Sequence, residues 1–182
     1  MTHYLRFIPN LISLIRISLV IPIVLNLLAG KYILALILFA IASASDAIDG
    51  FLARFFKWQT NLGKILDPVA DKLLMIGSIT ALWLNEIVPL SVFIILVLRD
   101  LLILLGAAFE MSITEKTPSP NLIGKITTTF QIIYILGLIF FEIFNVVINA
   151  QIFHILIGSI TLFSLISYFR WWFNNNFIKQ NV

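Results

Sequence analysis

Six runs of mostly apolar residues, at about residues 7–29, 32–55, 68–83, 90–110, 122–144 and 152–172, fill nearly the whole chain and leave five short connections. About 20 such residues in a row is what it takes to cross the hydrocarbon of a bilayer as a helix. In lipid, every backbone N–H and C=O must be paired inside its own segment, which leaves the helix as the form for runs of this kind. The expected fold is therefore an all-α integral membrane protein, a six-transmembrane-helix bundle with a short N-terminal interfacial segment, forming a single domain over residues 1–182. Composition excludes the alternatives. The 182 residues are 60% hydrophobic and 12% charged, where soluble domains carry about 25% charged residues. The absence of cysteine excludes a disulfide scaffold. Residues 1–6 are too short and too weakly charged for a transit peptide, so the first run is expected to be retained.

Punctuation marks the edges. Gly30 with Lys31 closes the first run, Asn85 and Glu86 separate the third and fourth, and Thr117, Pro118, Ser119 and Pro120 precede the fifth, with Asn121 as its N-cap. Asp67 followed by Pro68 reads as an N-cap followed by proline at the first helical position. With a cytoplasmic N-terminus, eleven of the twelve cations (Arg6, Arg16, Arg54, Lys57, Lys64, Lys72, Arg99, Lys116, Lys125, Arg170 and Lys179) fall on the cytoplasmic side and Lys31 alone lies opposite. Both termini are expected in the cytoplasm, with Trp58, Trp171 and Trp172 near that interface. Cations scattered in this way form no phosphate-reading stripe, which excludes a nucleic-acid partner.

Four of the nine acidic residues, Asp46, Asp49, Asp67 and Asp71, lie within 26 positions. On insertion scales four carboxylates at mid-membrane cost roughly 10 to 14 kcal/mol before snorkelling or pairing, so something must compensate them. Asp46 and Asp49 are three apart and Asp67 and Asp71 four apart, so each pair shares a helical face. The turn between the second and third runs brings the helices back antiparallel, and the pairs are expected to converge at one mouth of a shared cleft, on the cytoplasmic side.

Oxygen ligands select hard cations, Mg²⁺ or Mn²⁺. Zinc is disfavoured: cysteine is absent, and His3 and His154 lie far away in sequence. Two divalent ions about 3.5 to 4 Å apart would satisfy four carboxylates and grip a pyrophosphate from both ends, which points to phosphoryl-group chemistry. Gly50, Ala53 and Gly63 are small residues at cleft-facing positions, where a flat base or diphosphate can approach the backbone. Arg54 and Lys64 add positive charge beside them.

The string Asp46-x2-Asp49-Gly50-x2-Ala53-Arg54-x8-Gly63-x3-Asp67-x3-Asp71 resembles in full the signature of the CDP-alcohol phosphatidyltransferases, integral membrane enzymes of phospholipid synthesis. Pro9, Asn10 and Arg16 resemble that family's N-terminal Pro-Asn-x5-Arg element. The resemblance implies transfer of a phosphatidyl group from CDP-diacylglycerol to an alcohol, with release of CMP. It also implies a metal pair held by Asp46, Asp49, Asp67 and Asp71, with Asp71 as the base for the acceptor hydroxyl. Gly50, Ala53, Arg54 and Gly63, with Lys64 nearby, would contact the cytidine diphosphate, while the acyl chains stay among membrane lipids. Gly106, Ala107 and Ala108 would serve a helix interface, in keeping with the homodimer common in the family.

The acceptor turns on cations. Phosphatidylglycerophosphate synthases of this family carry Arg-Glu in the fourth span, a second arginine eight residues on, and Gly-Lys-x-Lys-Thr opening the fifth. This chain has Arg99-Asp100, Ala107 eight after Arg99, and Gly124-Lys125-Ile126-Thr127-Thr128. A nearly dianionic glycerol-3-phosphate should want several basic partners and phosphatidylglycerol fewer. Arg99 and Lys125 are the candidate acceptor-binding residues. The chain is thus expected to resemble the cardiolipin synthases that use CDP-diacylglycerol, in a bacterial inner membrane, with glycerol-3-phosphate as the alternative acceptor.

Plainer readings compete. The aspartates could be snorkelling interfacial carboxylates paired with Arg54, Lys57, Lys64 and Lys72, Arg99-Asp100 a cytoplasmic-end ion pair holding helices together, and Lys125 a positive-inside anchor, while Arg16 is expected to be functional or buried against an acidic partner, with snorkelling as its alternative. His154 reads as structural. A cation transporter is the reading from another class, weakened because the later runs offer no relay of carboxylates.

Overall fold

The computed structural model describes residues 8–56, 63–114, 122–146 and 149–173, all side chains excepted within 8–10, 46–54, 64–65, 107–114 and 171–173. Six helices follow in order: α1 Ile8–Leu28, α2 Tyr32–Phe55, α3 Gly63–Leu84, α4 Leu90–Thr114, α5 Leu122–Ile143 and α6 Gln151–Phe173. No strand occurs among the described residues, so the all-α expectation holds. Leu11–Leu28, Leu122–Ile143 and Gln151–Arg170 are long and apolar enough to cross a membrane, and in α2 the apolar stretch is Tyr32–Ser45. The expectations for Trp58 and for Thr117 to Asn121, and those for the side chains of Trp171 and Trp172, lie outside what is described.

The chain divides into two compact units, Met1–Ile87 with Ile139–Val146, and Val88–Leu138 with Val147–Val182. In the first, α1 packs against both α2 and α3. Their core takes Ile23 and Leu27 from α1, Ala35 and Phe39 from α2, and Ile79 and Leu82 from α3. Gly77 permits the close approach of α3 to α1, since a Cβ there would stand 2.9 Å from Val24 Cγ2 and 3.0 Å from Val20 Cγ1. Outward positions are large and apolar, as with Ile21, Leu25 and Ile33, while Ser13, Arg16 and Ser78 are sealed inside. That inversion of the soluble pattern suits a chain whose solvent is lipid, where polar groups turn to the bundle interior.

Three helix ends in the first unit share one motif. After α1, Gly30 (φ 69°) donates to Leu27 O and Lys31 to Asn26 O. After α3, Glu86 (φ 62°) donates to Trp83 O and Ile87 to Leu82 O, and after α5, Asn145 (φ 50°) donates to Glu142 O and Val146 to Phe141 O. These are Schellman caps, which satisfy carbonyls that the helix leaves without partners.

One boundary differs from expectation. α3 begins at Gly63, and Pro68 lies inside it, so Asp67 is not an N-cap. Proline at the sixth position disturbs only the carbonyl four residues earlier, at Lys64 in the first turn, and the helix tolerates that loss. The carboxylate of Asp67 is engaged across helices instead.

In the second unit α4 packs against α6. Gly106, expected at an interface, meets Tyr168 of this same chain: a Cβ on Gly106 would stand 2.5 Å from the Tyr168 hydroxyl.

Candidate active site

Two faces with matching periodicity meet between α1 and α3. Ser13 and Arg16 are three apart on α1, Asp67 and Asp71 four apart on α3, and residues at those spacings stack on one side of a helix. Ser13 Oγ donates to Asp67 Oδ1 at 2.5 Å, and Arg16 Nη1 donates to Asp71 Oδ1 at 2.8 Å. Both rungs climb in the same direction along the sequence, so the two helices run parallel here. Ser13 and Arg16 are completely buried, whereas the Asp71 side chain is 47% exposed. The cation is thus sealed inside the unit, and the carboxylate it holds remains open to whatever approaches the rim.

Arg16 is accordingly buried against an acidic partner rather than snorkelling. Ser13 was missed by sequence reasoning, although its position three before Arg16 matches the four-residue step of the aspartates. Gly63 is buried at the first position of α3. Asp46, Asp49, Gly50, Ala53 and Arg54 occupy the last part of α2 and Lys64 the second position of α3, and the side chains of all six lie outside the described residues. Among the described residues no three His, Cys, Asp or Glu form a group that could hold a metal. The described half of the donor set nevertheless fits a hard cation: two carboxylates, one helical turn apart and each steadied through Oδ1 by α1, with no nitrogen or sulfur ligand beside them.

The acceptor candidates lie in the second unit. Arg99, 1% exposed, donates from Nη1 to Asp100 Oδ1 at 2.6 Å and Thr128 Oγ1 at 3.3 Å, and from Nη2 to Gly124 O at 3.0 Å and Ser164 Oγ at 3.4 Å. One guanidinium therefore ties α4 to α5 and α6. Lys125, the neighbour of Gly124, is exposed. His154 Nδ1 and the Tyr134 hydroxyl lie 2.6 Å apart, a bond between α6 and α5 that agrees with a structural histidine.

Comparison with known proteins decides the family. The model of the CDP-alcohol phosphatidyltransferase family matches residues 6–173. The chain belongs to the CDP-alcohol phosphatidyltransferases. Among similar members is a CDP-diacylglycerol–glycerol-3-phosphate 3-phosphatidyltransferase of Aquifex aeolicus, 33% identical over 141 residues, covering 76% of this chain and 79% of the relative. One of the same name from Bacillus subtilis is 32% identical over 72% of this chain and 75% of its own length. A cardiolipin synthase (CMP-forming) of Streptomyces coelicolor is 31% identical over 70% of this chain and 61% of its own length. As a CDP-alcohol phosphatidyltransferase the chain is a membrane transferase of phospholipid biosynthesis, and its relatives include both glycerol-3-phosphate 3-phosphatidyltransferases and cardiolipin synthases.

Proposed function

We propose that the chain is a metal-dependent cardiolipin synthase, one catalytic domain that transfers the phosphatidyl group of CDP-diacylglycerol to phosphatidylglycerol and releases CMP. The observation that carries the site is the pair of bonds from Ser13 and Arg16, which holds Asp67 and Asp71 on one face of α3 at fixed spacing.

In this reading Asp46, Asp49, Asp67 and Asp71 would hold two Mg²⁺ or Mn²⁺ ions, whose chemistry there is to neutralise the diphosphate and stabilise the departing CMP. The residues of the chain do the rest. Gly50, Ala53 and Gly63 let the cytidine diphosphate lie close to the backbone, with Arg54 and Lys64 supplying positive charge. Asp71 accepts the proton of the attacking hydroxyl, a contribution of about 10² to 10⁴ in rate. Arg16 and Ser13 act as positioning residues, and small displacements of such carboxylates are costly because proximity and orientation carry much of the acceleration.

The choice of acceptor rests on Arg99. Both of its terminal nitrogens are engaged within the protein, so we assign it to holding the start of α5, and with it Lys125, rather than to direct contact with substrate. One exposed lysine suits the single charge of a phosphodiester better than a near-dianion. The distribution of cations supports a cytoplasmic site in a bacterial inner membrane.

The test supplies purified protein with CDP-diacylglycerol, Mg²⁺ or Mn²⁺, and either phosphatidylglycerol or glycerol-3-phosphate, following CMP and the lipid product. Cardiolipin formed from phosphatidylglycerol is the expected result. Product from glycerol-3-phosphate alone would overturn the acceptor, and activity undiminished by a chelator would overturn the metal.

A further inference from the structure

At the other end of α2 from Asp46 and Asp49 the first unit has a cavity of about 580 Å³, with Lys31, Tyr32, Ile37, Glu142 and Asn145 among its lining residues. That volume is within the range of small-molecule clefts. Its walls are rigid turns: Lys31 is fixed by the cap that ends α1 and Asn145 by the cap that ends α5. Neither Lys31 nor Glu142 has an ion-pair partner among the described residues, although each carries a full charge in a protein that is only 12% charged.

The charges are arranged in order. Lys31 stands just before the first turn of α2, which contains no acidic residue, so its cation and the positive end of that helix point to one anionic group. Glu142 lies in the last turn of α5, which contains no basic residue, so its carboxylate and the negative end of that helix point to one cationic group. Between them the cleft is neutral overall but polarised. Its apolar lining continues onto exposed Ile33, Leu34 and Ile37, a surface suited to acyl chains rather than to a water-soluble zwitterion.

We propose that this cleft seats the headgroup of a zwitterionic phospholipid, with its phosphate at Lys31 and the start of α2, its ammonium at Glu142 and the end of α5, and its chains along Ile33, Leu34 and Ile37. An anionic phospholipid matches only half of the site, because it brings nothing for Glu142. The site lies at the far end of α2, whose 24 residues span about 35 Å, and it is independent of the transfer chemistry. A lipid held there braces the start of the helix whose last turns carry Asp46 and Asp49.

The experiment equilibrates the detergent-purified full chain with equal amounts of phosphatidylethanolamine and phosphatidylglycerol and counts retained lipids by native mass spectrometry. Thermal unfolding and CMP release are measured on the same samples. The unsubstituted protein is expected to retain one phosphatidylethanolamine in preference to phosphatidylglycerol. Lys31→Gln and Glu142→Gln should each weaken retention about tenfold, the worth of one charge-assisted hydrogen bond, and reduce the thermal stabilisation that phosphatidylethanolamine gives the unsubstituted protein, while CMP release stays unchanged. Equal retention of the two lipids by the unsubstituted protein, or undiminished retention by both variants, overturns the proposal. The unsubstituted competition needs no variant to fold, and loss of CMP release alone would bear on the enzyme reading and not on this site.

Discussion

Arg16, sealed within α1, donates to the half-exposed carboxylate of Asp71 on α3 at 2.8 Å. A planar guanidinium fixes the direction of that carboxylate in a way a lysine ammonium does not. Arg16→Lys is therefore expected to lower kcat about 10²-fold with little change in the KM for CDP-diacylglycerol. Asp71→Ala should abolish turnover more fully than it weakens donor binding. Steady-state CMP release, with binding of CDP-diacylglycerol measured separately, checks both.

Ser13→Ala removes the donor that steadies Asp67. A group that orients a metal ligand commonly sets affinity by 10- to 100-fold. The concentration of Mg²⁺ or Mn²⁺ giving half-maximal CMP release should rise by about that factor, while activity at saturating metal falls less. An unmoved metal titration would contradict the role given to Ser13.

Gly77→Ala would press a methyl group onto Val20 and Val24, whose branched side chains have little rotamer freedom in a helix. Overpacking of this kind costs about 1–3 kcal/mol. It should lower the thermal midpoint and, by moving α1 from α3, also reduce activity.

Much of this was legible in the letters, for identifiable reasons. Long apolar runs placed the starts of α2, α4 and α6 within a residue, because the thickness of a bilayer leaves little latitude. The exception was α3, where a serine on another helix, and not the N-terminus of its own, occupies Asp67. The periodicity of Asp67 and Asp71 was visible, since both lie on one helix. Ser13 was not, because its meaning depends on which helix packs beside α1. Arg99 was visible as a charge in an apolar run, but its commitment to Gly124, Thr128 and Ser164 needs three helices folded together.

Arg99 and Asp100 form a buried pair, 1% and 4% exposed in their side chains, at 2.6 Å. Removing one partner leaves an uncompensated charge and costs about 3–5 kcal/mol, whereas replacing both with apolar residues is often much milder. Asp100→Leu, which leaves the buried Arg99 cation with the neutral partners Thr128, Gly124 and Ser164, is expected to destabilise the protein more than the double variant Arg99→Leu with Asp100→Leu. Unfolding of the three proteins in one detergent provides the comparison.

Glu86 takes the left-handed conformation (φ 62°) that glycine takes at the end of α1. Glu86→Gly should stabilise the protein by about 1 kcal/mol, because only the side chain makes that conformation costly. A rise in the thermal midpoint with unchanged CMP release checks it.

The contact between α1 and α3 has a consequence for biosynthesis. Ribosomes deliver α1 first, so Arg16 is already in the bilayer when Asp67 and Asp71 emerge. The later acidic segment enters a membrane where a counterion is waiting, and a chain whose first helix is delayed or replaced lacks the donors of Ser13 and Arg16 at that step.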